Sequence, residues 1–140
     1  MSTGDSIKHP DPAPSTSRLA RVLGSGQFAL AIEISPPVGP NPAALHRQIE
    51  LLRGYGDAYN VTDNQSAKVH MCSLAASILL EQAGLEPVFQ LTCRDRNRLG
   101  LQSDLLGAAA LGIKNVLALS GDHPGVAITP TSTTWATSIR

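Results

Sequence analysis

Four short apolar segments recur along this chain at a nearly constant interval, and that interval constrains the fold more than any other feature. They are Phe28-Ala-Leu-Ala-Ile-Glu-Ile, Ala58-Tyr-Asn-Val, Pro87 to Leu91 and Asn115 to Leu119. Their starts lie about 28 to 30 residues apart, the length of one strand-helix unit of a parallel sheet. The first run, bounded by glycine before it and Ser35-Pro36-Pro37 after it, suits a strand buried on both faces. Polar residues gather just after each run, at the strand ends where such sheets place their chemistry. Four units make half of a (β/α)8 TIM barrel, whose usual length is about 250 residues. A doubly wound sheet is the competing architecture. It usually opens on a glycine-rich phosphate turn, whereas here the turn holds Pro36 and Pro37, which have no N–H to offer a phosphate. The expected fold is therefore α/β, the first four βα units of a TIM barrel.

Helical patterns fill the intervals. Asn41 is a natural N-cap with Pro42 at the first helical position, and Leu45, Ile49 and Leu52 share one face before Gly54 and Gly56. A second helix is predicted from Ala67 to Ala83, with Val69, Cys72, Ala76, Leu79 and Ala83 facing inward and Gly84 closing it. A third presents Leu101, Leu105, Ala108 and Ala109 inward and ends at Gly112. Ser17 to Leu23 reads as a short helix stopped by Gly24 and Gly26. Residues 1–17, rich in Ser, Thr, Pro and Asp, read as a disordered tail.

With 140 residues, 42% of them hydrophobic and 16% charged, the chain can bury one core. Eleven acidic residues balance eleven basic ones, so no electrostatic argument favours nucleic acid. No apolar run approaches the roughly 20 residues that span a bilayer, and no basic-then-apolar leader opens the chain; the expectations are no membrane partner and a cytoplasmic location. Cys72 and Cys93 form neither a disulfide framework nor a zinc pattern. His70 and His123 stand alone, so no metal site is expected.

The strand tips collect Glu33; Thr62, Asp63, Asn64 and Gln65; Thr92 to Arg96; and Ser120, Gly121, Asp122 and His123. Glu33 is a lone carboxyl in an apolar strand, a setting that favours the protonated form and suits a general acid. The alternative is a barrel-end carboxylate paired with an arginine such as Arg94. Asp122 could equally be a helix N-cap, and Arg94-Asp95-Arg96-Asn97-Arg98 a self-paired solvated loop.

At these tips the sequence resembles the methylenetetrahydrofolate reductase family, flavoproteins that carry FAD in a TIM barrel. The matching pieces are Glu33-Ile-Ser-Pro-Pro, Asn60-Val-Thr-Asp-Asn-Gln, Gln90-Leu-Thr-Cys-Arg-Asp-Arg-Asn-Arg, Leu101-Gln-Ser-Asp-Leu-Leu-Gly and Leu117-Ala-Leu-Ser-Gly-Asp. The second and third look closest to an acetogen-like bacterial branch. The resemblance implies reduction of 5,10-methylenetetrahydrofolate to 5-methyltetrahydrofolate, with NADH, NADPH or another electron donor. It implies Glu33 as the general acid that protonates the bridging nitrogen and Asp122 as the group that stabilises the resulting cation. Thr62, Asp63, Gln65, Gln90, Ser120, Gly121 and Asp122 take the FAD-contacting positions. Gln90 stands where many members have histidine and Asp63 where many have tyrosine.

The resemblance covers Phe28 to Pro124, within a half-barrel domain of residues 18–124. Residues 125–140 are expected to be a frameshifted or truncated reading. Open edges on the first and fourth strands predict self-association as a homo-oligomer. The rival readings are a non-catalytic half-barrel module or decayed gene product, and an unrelated barrel enzyme acting on a phosphorylated substrate. The last is disfavoured, since the phosphate site of such barrels usually lies at strands 7 and 8.

Overall fold

A computed structural model describes residues 17–123. The 125–140 segment and the N-terminal tail, apart from Ser17, lie outside the described residues. In chain order the elements are α1 (Arg18–Gly24), β1 (Ala31–Ile34), α2 (Ala43–Leu52), β2 (Ala58–Val61), a 3-10 turn (Gln65–Ala67), α3 (Ser73–Gln82), β3 (Pro87–Thr92), α4 (Arg98–Ala110) and β4 (Asn115–Leu119). All strand pairs are parallel and the order is β1-β2-β3-β4, with no reversal of direction. A sheet that advances one way throughout is singly wound, which sets aside the doubly wound alternative for these strands.

The register divides the sheet into two faces. Ile34 pairs with Val61, Val61 with Phe89, and Leu91 with Ala118. Ile34, Tyr59, Val61, Phe89 and Leu91 are buried against α2, α3 and α4, whose Leu45, Ile49, Ala76, Leu80 and Ala108 complete the core. Full burial of each large apolar side chain contributes about 1.5 to 3 kcal/mol. Glu33 pairs with Asn60, Asn60 with Val88, and Gln90 with Leu117, all on the opposite face. That face looks away from the helices.

Three expectations need correction. Strand β1 begins at Ala31, not Phe28, and Phe28 is 88% exposed, because β2 starts only at Ala58 and offers earlier residues no strand to pair with. Ala31 and Glu33 are exposed as well, so β1 is buried on the helix side alone. Helix α3 begins at Ser73 rather than Ala67. Asn64, Ser66 and Ala67 hold φ values of 49°, 56° and 53°, a left-handed geometry that no right-handed α-helix can run through, and residues 68–72 form no helix before α3. The buried face of α3 is therefore Ser73, Ala76, Ser77 and Leu80, while Val69 is half exposed and Cys72 exposed at the N-cap. On α4, Ala108 is buried and Leu101 packs at the core's edge, but Leu105 and Ala109 are exposed. No neighbouring element among the described residues covers that flank.

Helix α1 sits at the opposite end of the strands from the tips. Ser17 caps it, accepting from Ala20 N, and is itself buried. Glu86, just before β3, accepts from the backbone N–H groups of Arg18 (2.7 Å) and Leu19 (2.9 Å) and from Asn115 Nδ2 at the start of β4 (3.0 Å). Arg18 also pairs with Asp57, just before β2 (3.0 Å). Burial by itself would push the Glu86 carboxyl up, but the donors from Leu19, Arg18, Ser17 and Asn115 outweigh it and hold the group below its ordinary value. A cleft of about 390 Å³ opens at this end, lined by residues including Arg18, Arg53, Asp57 and Glu86. Four of its charged side chains are engaged elsewhere: Arg53 bonds Ala83 O and Glu50, and Arg18, Asp57 and Glu86 belong to the α1 joint. It is a structural seam.

Candidate functional site

The tips of β1 to β4 meet at the other end, and most charged groups there are committed to one another. Asp63, directly after β2, has a fully buried side chain. Its Oδ2 accepts from Thr92 N (2.9 Å), Thr92 Oγ1 (2.9 Å) and Arg96 Nη1 (2.5 Å). Burial alone would raise this carboxyl, but the Arg96 guanidinium and the two Thr92 donors hold it below its usual value. Arg96 also donates from Nε to Asp104 on α4 (2.9 Å). Asp63 is thus a strut between the β2 and β3 tips.

Arg94 performs a second stitching. Its side chain is 8% exposed. Nη1 donates to Asp122 O (3.1 Å), Nη2 to Asn64 O (3.2 Å), and Nε and Nη2 both to Asp95 Oδ2. The expected Arg94–Asp95 self-pairing is present, but the guanidinium also joins the tips of β2 and β4. Asp122 Oδ2 in turn accepts from Ser66 N at 2.6 Å, and Asn64 Oδ1 from His70 N at 2.9 Å. These bonds hold the turn 64–67, with its left-handed Asn64, Ser66 and Ala67, in place. Gly121 lies under this clamp at φ +82°, where an added Cβ would come within 3.2 Å of Arg94 Cβ and 3.3 Å of Thr92 Cβ. Ser120 beside it is exposed.

Thr62 is buried and donates from Oγ1 to Gln65 Oε1 (2.9 Å). Gln65 Nε2 lies 3.3 Å from His70 Nε2, while His70 Nδ1 lies 2.9 Å from Lys68 O. A carbonyl only accepts, so Nδ1 carries the ring proton and Nε2 accepts from Gln65. Two of the expected cofactor positions, Thr62 and Gln65, therefore form one hydrogen-bonded chain.

The groups left available lie on the inner face of the sheet. Glu33, Asn60 and Gln90 stand on three adjacent strands, and none of their side chains makes a hydrogen bond or ion pair among the described residues. Asn60 Oδ1 is buried without a partner, and Gln90 is only 9% exposed. Glu33 itself is exposed, and the alternative pairing with Arg94 is not made. Asp122 and Gly121 belong to the rim beside this row. Sequence reading passed over Asn60 as a site residue, because an amide inside an apolar run reads as strand. The signal available was its even spacing from Thr62, which places both on one face. Arg94 and Ser66 were missed as a clamp, since their partners are distant in sequence. No group of three or more His, Cys, Asp or Glu side chains among the described residues is arranged to hold a metal, and no helix among them is long and apolar enough to cross a membrane.

A singly wound run of parallel βα units, with helices on one face and polar tips at one end, defines an α/β protein of the class whose sites usually lie at the C-terminal ends of the strands. The family model for methylenetetrahydrofolate reductase matches residues 18–136, and the chain belongs to that family. A Caenorhabditis elegans protein described as a probable methylenetetrahydrofolate reductase (NADPH) is 28% identical over 115 residues, which is 76% of this chain and 17% of that one. The chain thus spans about a sixth of the length of that relative.

Proposed function

We propose that these residues form the first four units of an FAD-dependent methylenetetrahydrofolate reductase barrel, a cytoplasmic enzyme that reduces 5,10-methylenetetrahydrofolate to 5-methyltetrahydrofolate with a reduced nicotinamide or another electron donor. The observation that carries the reading is the unpartnered row Glu33, Asn60 and Gln90 on the inner face, in a chain of this family. Carboxamides and a hydroxyl offering both donor and acceptor atoms suit the edge of a planar heterocycle, so the residues present fit a flavin. Thr62, Gln65, Gln90, Ser120 and Gly121 would hold FAD, which supplies the hydride when bound. Asp63 would serve it indirectly, by fixing the β2 and β3 tips.

Glu33 would donate its proton to the bridging nitrogen of the folate and leave an iminium ready to accept hydride. The Asp122 carboxylate, oriented by the Ser66 N–H, would stabilise that cation. The test is a flavin absorption spectrum of the purified chain, followed by both half-reactions in a complete barrel bearing these residues. Glu33→Gln should lower folate reduction about 10²-fold or more while leaving flavin reduction largely intact, as loss of a general acid does. Equal losses in both half-reactions would remove the assignment; flavin absorption in the purified chain would support the reductase reading, and a complete barrel that binds no flavin would remove it.

A further inference from the structure

Asn60 and Glu33 are register partners on neighbouring parallel strands, with backbones about 4.8 Å apart and side chains on the same face. Asn60 Oδ1 is buried and unpartnered, and Glu33 likewise makes no hydrogen bond. An unmade bond of this kind costs stability, about 1 to 3 kcal/mol for a buried acceptor, so it calls for a partner in some state of the molecule. An ionised carboxylate has only acceptor atoms, as does a carboxamide oxygen, and the two cannot bond. A protonated carboxyl carries one O–H donor. Glu33, the register partner of Asn60 on β1, is a neighbouring group that changes from non-donor to donor.

We propose that Asn60 is a positioning residue for Glu33, its Oδ1 accepting the carboxyl proton of the acid and holding it on the inner face until a substrate nitrogen takes it. The role rests on Glu33 being the general acid and adds the group that orients its proton. On transfer the O–H bond of Glu33 breaks and an N–H bond forms on the substrate amine. Glu33 is left as a carboxylate, and Asn60 Oδ1 is again without a donor. With the amide in this orientation, Glu33 satisfies Asn60 Oδ1 in the proton-loaded state alone.

The experiment is a double-mutant cycle on thermal stability in the full chain, with no ligand added. Glutamine has the shape of a protonated glutamate with a permanent N–H donor, so Glu33→Gln should raise Tm by about 4 °C. In an Asn60→Leu background, or in Asn60→Ala should the leucine variant not fold, the same substitution should give no rise. An equal shift in both backgrounds, or no shift in the wild-type background, overturns the proposal. The outcome is separable from the proposed function: coupling together with a complete barrel that binds no flavin removes the reductase reading and leaves the pair standing, and a flavoprotein without the coupling removes the pair alone. In a complete barrel, Asn60→Leu should slow the folate half-reaction at least tenfold in the Glu33 parent and have no further effect on Glu33→Gln.

Discussion

At the scale of single residues, the tips separate groups that hold the structure from groups left for chemistry, and Asp63 is the clearest of the first kind. Removing Asp63 leaves Arg96 with Asp104 as its one acidic partner and strips the buried Thr92 N and Oγ1 of their acceptor, so Asp63→Ala should destabilise the fold by about 3 kcal/mol. Urea denaturation would show it as a lower midpoint with an unchanged slope. The pH dependence follows from the same bonds. Asp63 and Glu86 both titrate below their ordinary values of 3.8 and 4.5 in the folded chain, so the unfolded chain takes up protons first. Their contribution is complete above those ordinary values and is lost as pH falls through the lower folded ones. Stability should hold from neutrality down to about pH 5 and decline below it, and Asp63→Asn should flatten that decline in an acid titration followed by circular dichroism.

At the scale of elements, the loop between β2 and α3 carries a testable consequence of the Asp122–Ser66 bond. Losing a charge-assisted hydrogen bond worth about 1.5 to 3 kcal/mol should let residues 64–67 open at least tenfold more often. Lys68 is exposed at the end of this loop, so Asp122→Ala should speed tryptic cleavage after it by a similar factor. Asp122→Asn, which keeps an acceptor, should cleave more slowly than Asp122→Ala; equal rates in all three proteins would show that the carboxylate does not hold the loop. The same loop marks where sequence reading failed. The positions of β2 and β4 were legible because the spacing of apolar runs is a local signal, and Leu45 and Ile49 were legible by helical period. The inward face assigned to α3 was wrong because left-handed geometry falls on Asn64, Ser66 and Ala67 rather than on glycines. It is imposed by Arg94 and Asp122, 30 and 56 residues away. Glu33 could be picked out as a lone acid. That Asn60 Oδ1 has no partner is visible only once three strands stand side by side.

At the scale of the whole molecule, β1 and β4 each have one strand neighbour among the described residues, and β4 leaves Val116 44% and Leu117 40% exposed. Unpaired apolar edges recruit other strands. A polypeptide of these 140 residues should therefore self-associate at micromolar concentration. Val116→Lys with Leu117→Lys should shift sedimentation toward monomer, whereas wild type that sediments as a monomer throughout would show that the edge is covered.

The joint beneath the strands bears on how such a chain is made. Of the described elements helix α1 leaves a ribosome first, yet the carboxylate that binds its amino end is 68 positions later and Asn115, which lies 2.6 Å from Ser17 Oγ, is 98 positions later. A seven-residue helix is too short to persist alone in water. It must wait, unformed, while four strands and the helices between them are synthesised and packed, and it then closes over their ends. Of the described elements α1 is the last to dock, so its docking reports that the strands after it, as far as β4, are already in place.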